Sequence, residues 1–373
     1  MKTRPKILAY LFGSLGDSIV AIPSLRAIRR RFPDGEIVLL QDTQGGNIVR
    51  ASEVIPEGLV DRHLEYTSRI GGSGKFSIFR YLLPLVRKEK FDAAVYLVIS
   101  ERPSRSVLRD KIFFRLCGIS RLYGFRAFTN AELYPTDESG HPAITDHEAV
   151  RKLERIEKDG ISADRDGDLS LPWMTFSPEE TYPVETWLAE NLGDLNEGPI
   201  AVAPGCKTRA NQWPPERFIE ISKRIVRDTG RKILIVGGKG ERELGERIIA
   251  ECGSGANAAG EFSVRGSAIL LSKCSLIIGL DTGTTHLAAA VGTPCLGIYG
   301  ERNNPGHWYP FGSGHTIISH RVDCAGCRLL DCPLPDHPCM AGIPTETVWK
   351  EVEQMLSSTH ASDAIGESRV IFI

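Results

Sequence analysis

Short apolar, β-branched runs alternate along this chain with longer stretches of helical periodicity. Residues 6–12, 36–41 and 92–99 read as buried strands, and 18–31 carry the spacing of an amphipathic helix. The pattern restarts at 200–203. Helix 216–229, strand 232–236, helix 241–251, strand 275–279, helix 287–291 and strand 295–299 follow. Alternation of this kind predicts parallel sheets covered by helices on both faces, an α/β fold of two Rossmann-like, doubly wound halves. At 373 residues the chain is too long for one ordinary domain. Residues 1–175 are expected to form the first domain and 198–344 the second. The polar stretch 176–197, with Pro178, Pro183 and a helix near 184–191, is expected to link them. A helix at 345–356 opens the last segment, 345–373, whose apolar end Val370-Ile371-Phe372-Ile373 leaves the order of the tail open.

The most informative junction is Gly279-Leu280-Asp281-Thr282-Gly283-Thr284-Thr285-His286, where a buried strand hands over to a small-residue helix that stops at Gly292. Free backbone N–H groups and the positive end of the helix dipole point there, which makes an anion site. Turns at the carboxyl edge of a parallel sheet are where α/β proteins bind nucleotides.

Three spaced motifs carry a family resemblance. Asp281-Thr282-Gly283 with His286-Leu287-Ala288-Ala289-Ala290 and Gly292-Thr293-Pro294 closely resembles the C-terminal motif of glycosyltransferase family 9, the ADP-heptose:lipopolysaccharide heptosyltransferases and their relatives. Gly13-Ser14-Leu15-Gly16-Asp17-Ser18, followed by Ile22-Pro23-Ser24-Leu25-Arg26, is similar to the family's N-terminal motif. The Pro204-Gly205 turn leading to Trp213-Pro214-Pro215-Glu216-Arg217-Phe218 is a third match. The resemblance implies a GT-B architecture facing a central cleft, with the 345–356 helix crossing back onto the N-terminal domain. It also implies transfer of heptose from ADP-heptose to a lipopolysaccharide core or related lipid-linked glycan.

Net charge of −2 gives no reason to expect a nucleic-acid partner. Nine cysteines, an odd number scattered over a long chain, argue against a disulfide framework. The N-terminus lacks the pattern of a signal peptide, and no stretch reaches the roughly 20 apolar residues a membrane span needs. A cytoplasmic protein is expected, with peripheral contact at the inner membrane as a further possibility.

Asp17 lies in a glycine-flanked turn after the first strand. It suits the N-cap of the following helix, and the resemblance implies that it is the general base that deprotonates an acceptor hydroxyl. Gly16, Arg26 and Arg30 are assigned to acceptor binding. Arg26, Arg29 and Arg30 share a helix face by spacing, either as a solvated face or as an attraction for a phosphorylated, lipid-linked acceptor; Pro23 should kink that helix. Lys207, Thr208 and Arg209 are candidate donor-phosphate contacts. Here the chain departs from the family, which commonly has a lysine two residues before the tryptophan where this chain has Asn211. Gly237-Gly238-Lys239-Gly240-Glu241 is not a dinucleotide fingerprint. Glu241 is the match for the family's nucleoside-holding acid, or a helix-start carboxylate. Asp281, Thr282, Gly283, Thr284 and His286 complete the expected donor site, with Gly283 admitting a diphosphate to the backbone.

Gly74-Lys75 is not a phosphate loop, because Arg69 and Phe76 stand where that motif needs Gly and Ser or Thr; 68–75 reads instead as a mobile loop near the acceptor cleft. Cys324, Cys327, Cys332 and Cys339 lie within sixteen residues and form a candidate structural metal site or a set of free thiols. No cofactor or catalytic metal is expected beyond the nucleotide-sugar donor. An epimerase of GT-B fold and a non-catalytic nucleotide-sugar-binding protein are the alternatives; a carboxylate such as Asp17 is more than binding alone requires.

Overall fold

The computed structural model describes residues 4–43, 48–67, 77–193, 197–359 and 367–373. The segment 68–75, read above as a mobile loop near the acceptor cleft, lies outside them. The chain forms two compact units, Met1–Pro135 with Asp146–Trp173, and Met174–Ile373 with Thr136–Thr145.

The first unit is built on β1 (Lys6–Leu11), β2 (Glu36–Asp42), β3 (Arg62–Tyr66), β4 (Ala93–Tyr96) and β5 (Arg121–Tyr123), in the order β3-β2-β1-β4-β5. Every ladder is parallel, with Ala9 of β1 opposite Leu39 on one side and Val95 on the other. The β3 and β5 strands were not visible as apolar runs. They are edge strands whose Arg-His-Leu-Glu-Tyr and Arg-Leu-Tyr sequences bury little, so hydrophobic patterning does not mark them. One expectation is corrected at the first helix. Two helices, Leu15–Ile19 and Ile22–Arg31, stand where a single kinked one was expected, and Pro23 lies in the first turn of the second. In a first turn the missing proline N–H costs no hydrogen bond, so Pro23 starts a helix instead of bending one.

The second unit holds β6 (Ile200–Ala203), β7 (Ile233–Ile235), β8 (Gly255–Asn257), β9 (Leu276–Leu280), β10 (Cys295–Tyr299), β11 (Thr316–Ser319) and β12 (Arg369–Phe372). Their order is β12-β11-β10-β9-β6-β7-β8, again all parallel. The apolar tail thus supplies an edge strand, β12. The stretch expected to be a linker carries the helix Pro178–Leu192, which buries Val184, Leu188 and Leu192, packs on helix Val264–Ser272 and is tied to it by Glu180 and Arg265. Helix Thr345–Thr359 lays Val348, Trp349, Val352 and Leu356 into the second unit's core beside helix Pro215–Thr229. Its apolar face is accounted for inside that unit.

In each sheet the strand order reverses beside the first strand of the unit: β1 sits between β2 and β4, and β6 between β7 and β9. Loops leaving the carboxyl ends of strands at such a reversal diverge and leave a crevice open to ligands. The candidate chemistry gathers at these two places.

Candidate functional sites

In the first unit the chain leaves β1 through Phe12 and turns at Gly13, whose φ is +142°. A side chain at Gly13 would meet the Asp17 carboxylate, since a Cβ there would lie 2.1 Å from Asp17 Cγ. Asp17 is the third residue of helix Leu15–Ile19, and its Oδ2 accepts the Ser14 N–H at 2.7 Å. It therefore caps this short helix from within, and is not the N-cap of the longer one. Asp17 is half-buried. Desolvation raises its pKa above the ordinary carboxylate value, and the Lys152 charge and the Ser14 N–H act against that rise.

Lys152 was not anticipated. It is fully buried on helix Glu148–Glu157, its Nζ donating to Leu97 O at 2.8 Å and lying 3.1 Å from Glu148 Oε1. Glu148 in turn accepts the Ser100 N–H at 2.8 Å and the Ser100 hydroxyl at 2.5 Å. Arg155, one turn on, donates to the Tyr96 carbonyl at 3.2 Å and also to Val98 O. The carbonyls beyond β4 are thus held by cations rising from one helix. The sequence signal was available: Glu148, Arg151, Lys152 and Arg155 recur at helical spacing on the same face as Ala149 and Ile156, so charge falls where apolar residues belong.

The arginines assigned to the acceptor, Arg26 half-buried and Arg30 exposed, both bond to other segments of the unit. Arg26 donates to Ser170 O at 2.8 Å and Pro172 O at 3.1 Å, and Arg30 pairs with the buried Asp168, its Nη2 at 2.8 Å from Oδ2. Arg29 donates to Asp61 at 2.6 Å. These three side chains clamp the 162–172 segment and the start of β3, Arg30 while still reaching solvent. Gly16 is buried within its short helix.

In the second unit, β9 runs into Asp281, and Thr282 is the N-cap of helix Gly283–Ala290. The helix starts earlier than apolar patterning predicted, which places Gly283, Thr284 and Thr285 in its first turn with N–H groups that no helical carbonyl reaches. The Thr282 hydroxyl is buried and meets no hydrogen-bond partner among the described residues. Thr285 donates to Leu280 O at 2.7 Å, locking the turn. Beside it, the loop after β6 brings Cys206 Sγ to 3.4 Å from Asp281 O, and Asn211 Nδ2 donates to Asp281 Oδ2 at 2.9 Å. His286 is buried with its Nε2 4.0 Å from Asp281 Oδ1, and its ring packs against Trp308. Burial lowers its pKa to about 4, so the ring is neutral near neutrality and offers an N–H without a charge.

Of the other donor-site candidates, Lys207 is exposed and Arg209 pairs with Asp331 at 3.2 Å. Thr208 precedes the short helical turn Arg209–Asn211, and its carbonyl accepts the Asn211 N–H at 2.9 Å. The Glu241 carboxylate accepts the Gly238 N–H at 2.7 Å, the behaviour of a helix-start carboxylate. Its side chain fills the space above Gly205, where a Cβ would lie 2.2 Å from Glu241 Cγ. Gly205, Cys206, Arg209, Gln212, Glu241 and His337 line a cleft here. Trp213, in the third motif, is buried: its Nε1 donates to Ile343 O at 3.0 Å and its ring meets Phe218. That motif therefore holds the fold beneath the loop. Of the four clustered cysteines, Cys324 and Cys327 are exposed, Cys332 is half-buried and Cys339 is buried. Among the described residues no group of three Cys, His, Asp or Glu side chains is placed to hold a metal ion.

The arrangement offers a carboxylate of raised proton affinity at one switch point and, at the other, a helix start whose first-turn N–H groups have no helical carbonyl to bond. Comparison with known proteins agrees in kind. The model of glycosyltransferase family 9 (heptosyltransferase) matches residues 158–337. Lipopolysaccharide heptosyltransferase 2 of Escherichia coli is 26% identical over 95% of this chain and 100% of its own length. The crystal structure of a family 9 glycosyltransferase from Veillonella parvula superposes with a TM-score of 0.72 at 19% identity, covering 96% of this chain and 99% of that one. Escherichia coli ADP-heptose lipopolysaccharide heptosyltransferase II follows at 0.65 and 19% identity, covering 95% and 99%. These likenesses show the GT-B fold, and the family model makes residues 158–337, just under half of the chain, similar to glycosyltransferase family 9; with the curated relatives this supports a glycosyltransferase.

Proposed function

We propose that the enzyme transfers heptose from ADP-heptose to a lipopolysaccharide inner-core or related lipid-linked acceptor, with inversion at the anomeric carbon. Asp17 carries the reading. A single carboxylate at an open sheet edge, its proton affinity raised by desolvation, takes the proton from the acceptor hydroxyl as that oxygen attacks the sugar. One displacement with no covalent intermediate inverts the centre. The leaving diphosphate sits at the start of helix Gly283–Ala290, where the Gly283, Thr284 and Thr285 N–H groups and the unpartnered Thr282 hydroxyl stabilise the charge that develops. Asp281, held by Asn211 and near His286, orders that turn, and Lys207 and Arg209 supply positive charge beside it. This chemistry is complete without a metal. The names of the relatives, lipopolysaccharide heptosyltransferase 2 and ADP-heptose heptosyltransferase II, support the choice of donor and acceptor class. Among the described residues no helix is long and apolar enough to cross a membrane; the lipid-linked acceptor, in this reading, is reached from the cytoplasmic face of the inner membrane.

The test is a donor screen on the purified protein with ADP-, GDP-, UDP- and dTDP-linked sugars. Thermal stabilisation is read first, then product formation with and without a lipid-linked core acceptor. Selective stabilisation by the ADP-linked sugar and acceptor-dependent release of ADP are expected. Conversion of a nucleotide sugar in the absence of acceptor would establish the epimerase instead.

A further inference from the structure

Helix Ser104–Leu116 of the first unit presents Leu108, Ile112 and Leu116 to solvent, at exposures of 58%, 51% and 59%. Their spacing of four residues puts them in one stripe, and burial inside the unit falls instead to Val107, Phe113 and Phe114. The stripe is flanked by exposed Arg105, Lys111 and Arg115. The helix's only acid, Asp110, is 4% exposed and occupied by Arg109 and the Tyr96 hydroxyl.

The neighbouring helix, Ser77–Glu89, has the same character. It packs on Ser104–Leu116 through Phe79 and Phe113, at a ring separation of 5.0 Å, and Arg87 Nε donates to Leu116 O at 3.0 Å. Tyr81 is 55% exposed, and Arg80, Arg87 and Lys88 are exposed. Its only acid, Glu89, is paired with Arg62 and Lys6. The exposed charge on these two helices is therefore all positive, beside large apolar side chains.

We propose that the face formed by helices Ser77–Glu89 and Ser104–Leu116 docks the enzyme on an anionic phospholipid bilayer. Leu108, Ile112 and Leu116 enter the boundary between headgroups and acyl chains, and the surrounding Arg and Lys side chains reach the phosphates. A second copy of the chain is a poor occupant, since a self-complementary contact would bring like charges together. The inference deepens the proposed reaction on a lipid-linked acceptor. It also moves the membrane contact from the Ile22–Arg31 helix, where Arg26, Arg29 and Arg30 hold other segments of the unit, to a face where exposed cations flank exposed large apolar side chains.

The test is sedimentation of the full chain with vesicles of phosphatidylethanolamine and phosphatidylglycerol, against phosphatidylcholine alone, which needs neither donor nor acceptor. Binding to the anionic vesicles is expected, weakened by salt. It should fall about tenfold or more in a variant combining Leu108→Ser, Ile112→Ser and Leu116→Ser, and likewise in Arg105→Glu with Lys111→Glu, melting temperatures staying as in the wild type. The charge pair keeps the test decisive if the apolar variant folds poorly. Absence of binding, binding unchanged in both variants, or loss of a dimer in the variants would overturn the proposal. Vesicle binding without sugar transfer would leave this face standing and remove the reaction.

Discussion

Asn211 donates from Nδ2 to Asp281 Oδ2 at 2.9 Å, joining the loop after β6 to the turn after β9. The family commonly has a lysine at this position. The asparagine keeps a donor for the aspartate but, unlike a lysine, brings no positive charge to a place close to where a diphosphate is proposed to bind. Asn211→Lys is therefore expected to tighten ADP binding by up to about tenfold at low salt. Asn211→Leu, which deletes a bond to a charged group, is expected to lower stability by about 1.5–3 kcal/mol. Calorimetric titration with ADP and urea unfolding measure the two effects; a lysine variant that binds ADP more weakly would show that neutrality at 211 serves the donor.

Asp17 is proposed to act as base, so Asp17→Asn is expected to lower turnover by about 10²–10⁴-fold with ADP affinity nearly unchanged. The active form is the ionised one. Rate should therefore fall as pH drops through the Asp17 pKa, and that limb should lie above the usual carboxylate range, because burial raises the value. An Asn variant with near-normal turnover would remove Asp17 from the chemistry.

Lys152 gives a separate handle on the same limb. It lies on the buried face of its helix together with Glu148, and its charge is the main influence holding the Asp17 pKa down, with the Ser14 N–H next and Glu148 opposing. Lys152→Met is expected to move the acidic limb to higher pH. It should also destabilise the protein by about 3–5 kcal/mol, because Glu148 is left buried without its cation. Lys152→Arg, which restores the charge, should return the limb toward its original position. A pH profile identical in all three proteins would separate Lys152 from the base.

The strands that were readable from sequence are those buried on both faces, β1, β2, β4, β6, β7, β9 and β10, where apolar runs follow from packing under helices. The edge strands β3, β5 and β8 were not, since half-exposed strands need no continuous apolar run, and neither was the buried β11, whose Thr-Ile-Ile-Ser run holds only two apolar residues. The turns at Asp17 and Asp281 could be located because glycine and a carboxylate at a strand-to-helix junction have few purposes. What each charge does depended on contacts with no local signature. Arg26 reaches carbonyls more than 140 residues away in sequence, and Lys152 reaches Leu97. Charge clusters on a helix look alike whether they face water or a distant segment.

Gly283 opens the helix proposed to hold the diphosphate. A branched side chain there would stand between the phosphate oxygens and the N–H groups of the first turn while leaving the helix able to form. Gly283→Val is expected to weaken ADP binding by more than about tenfold with the melting temperature close to wild type. Undiminished ADP affinity in the folded variant would place the donor elsewhere.

The cysteines give the last prediction. Cys324 and Cys327 are exposed while Cys339 is buried, so ligands that a tetrahedral metal would need on one centre are spread between solvent and core. Burial pushes the Cys339 thiol up to about 11, which disfavours the thiolate a metal would bind. Cys324→Ser with Cys327→Ser is therefore expected to change stability by less than about 1 kcal/mol, and a strong chelator should leave activity and melting temperature unaltered. Elemental analysis of the purified protein decides the matter independently: about one metal ion per chain, lost together with the fold on chelation, would show that these thiols close on a structural site.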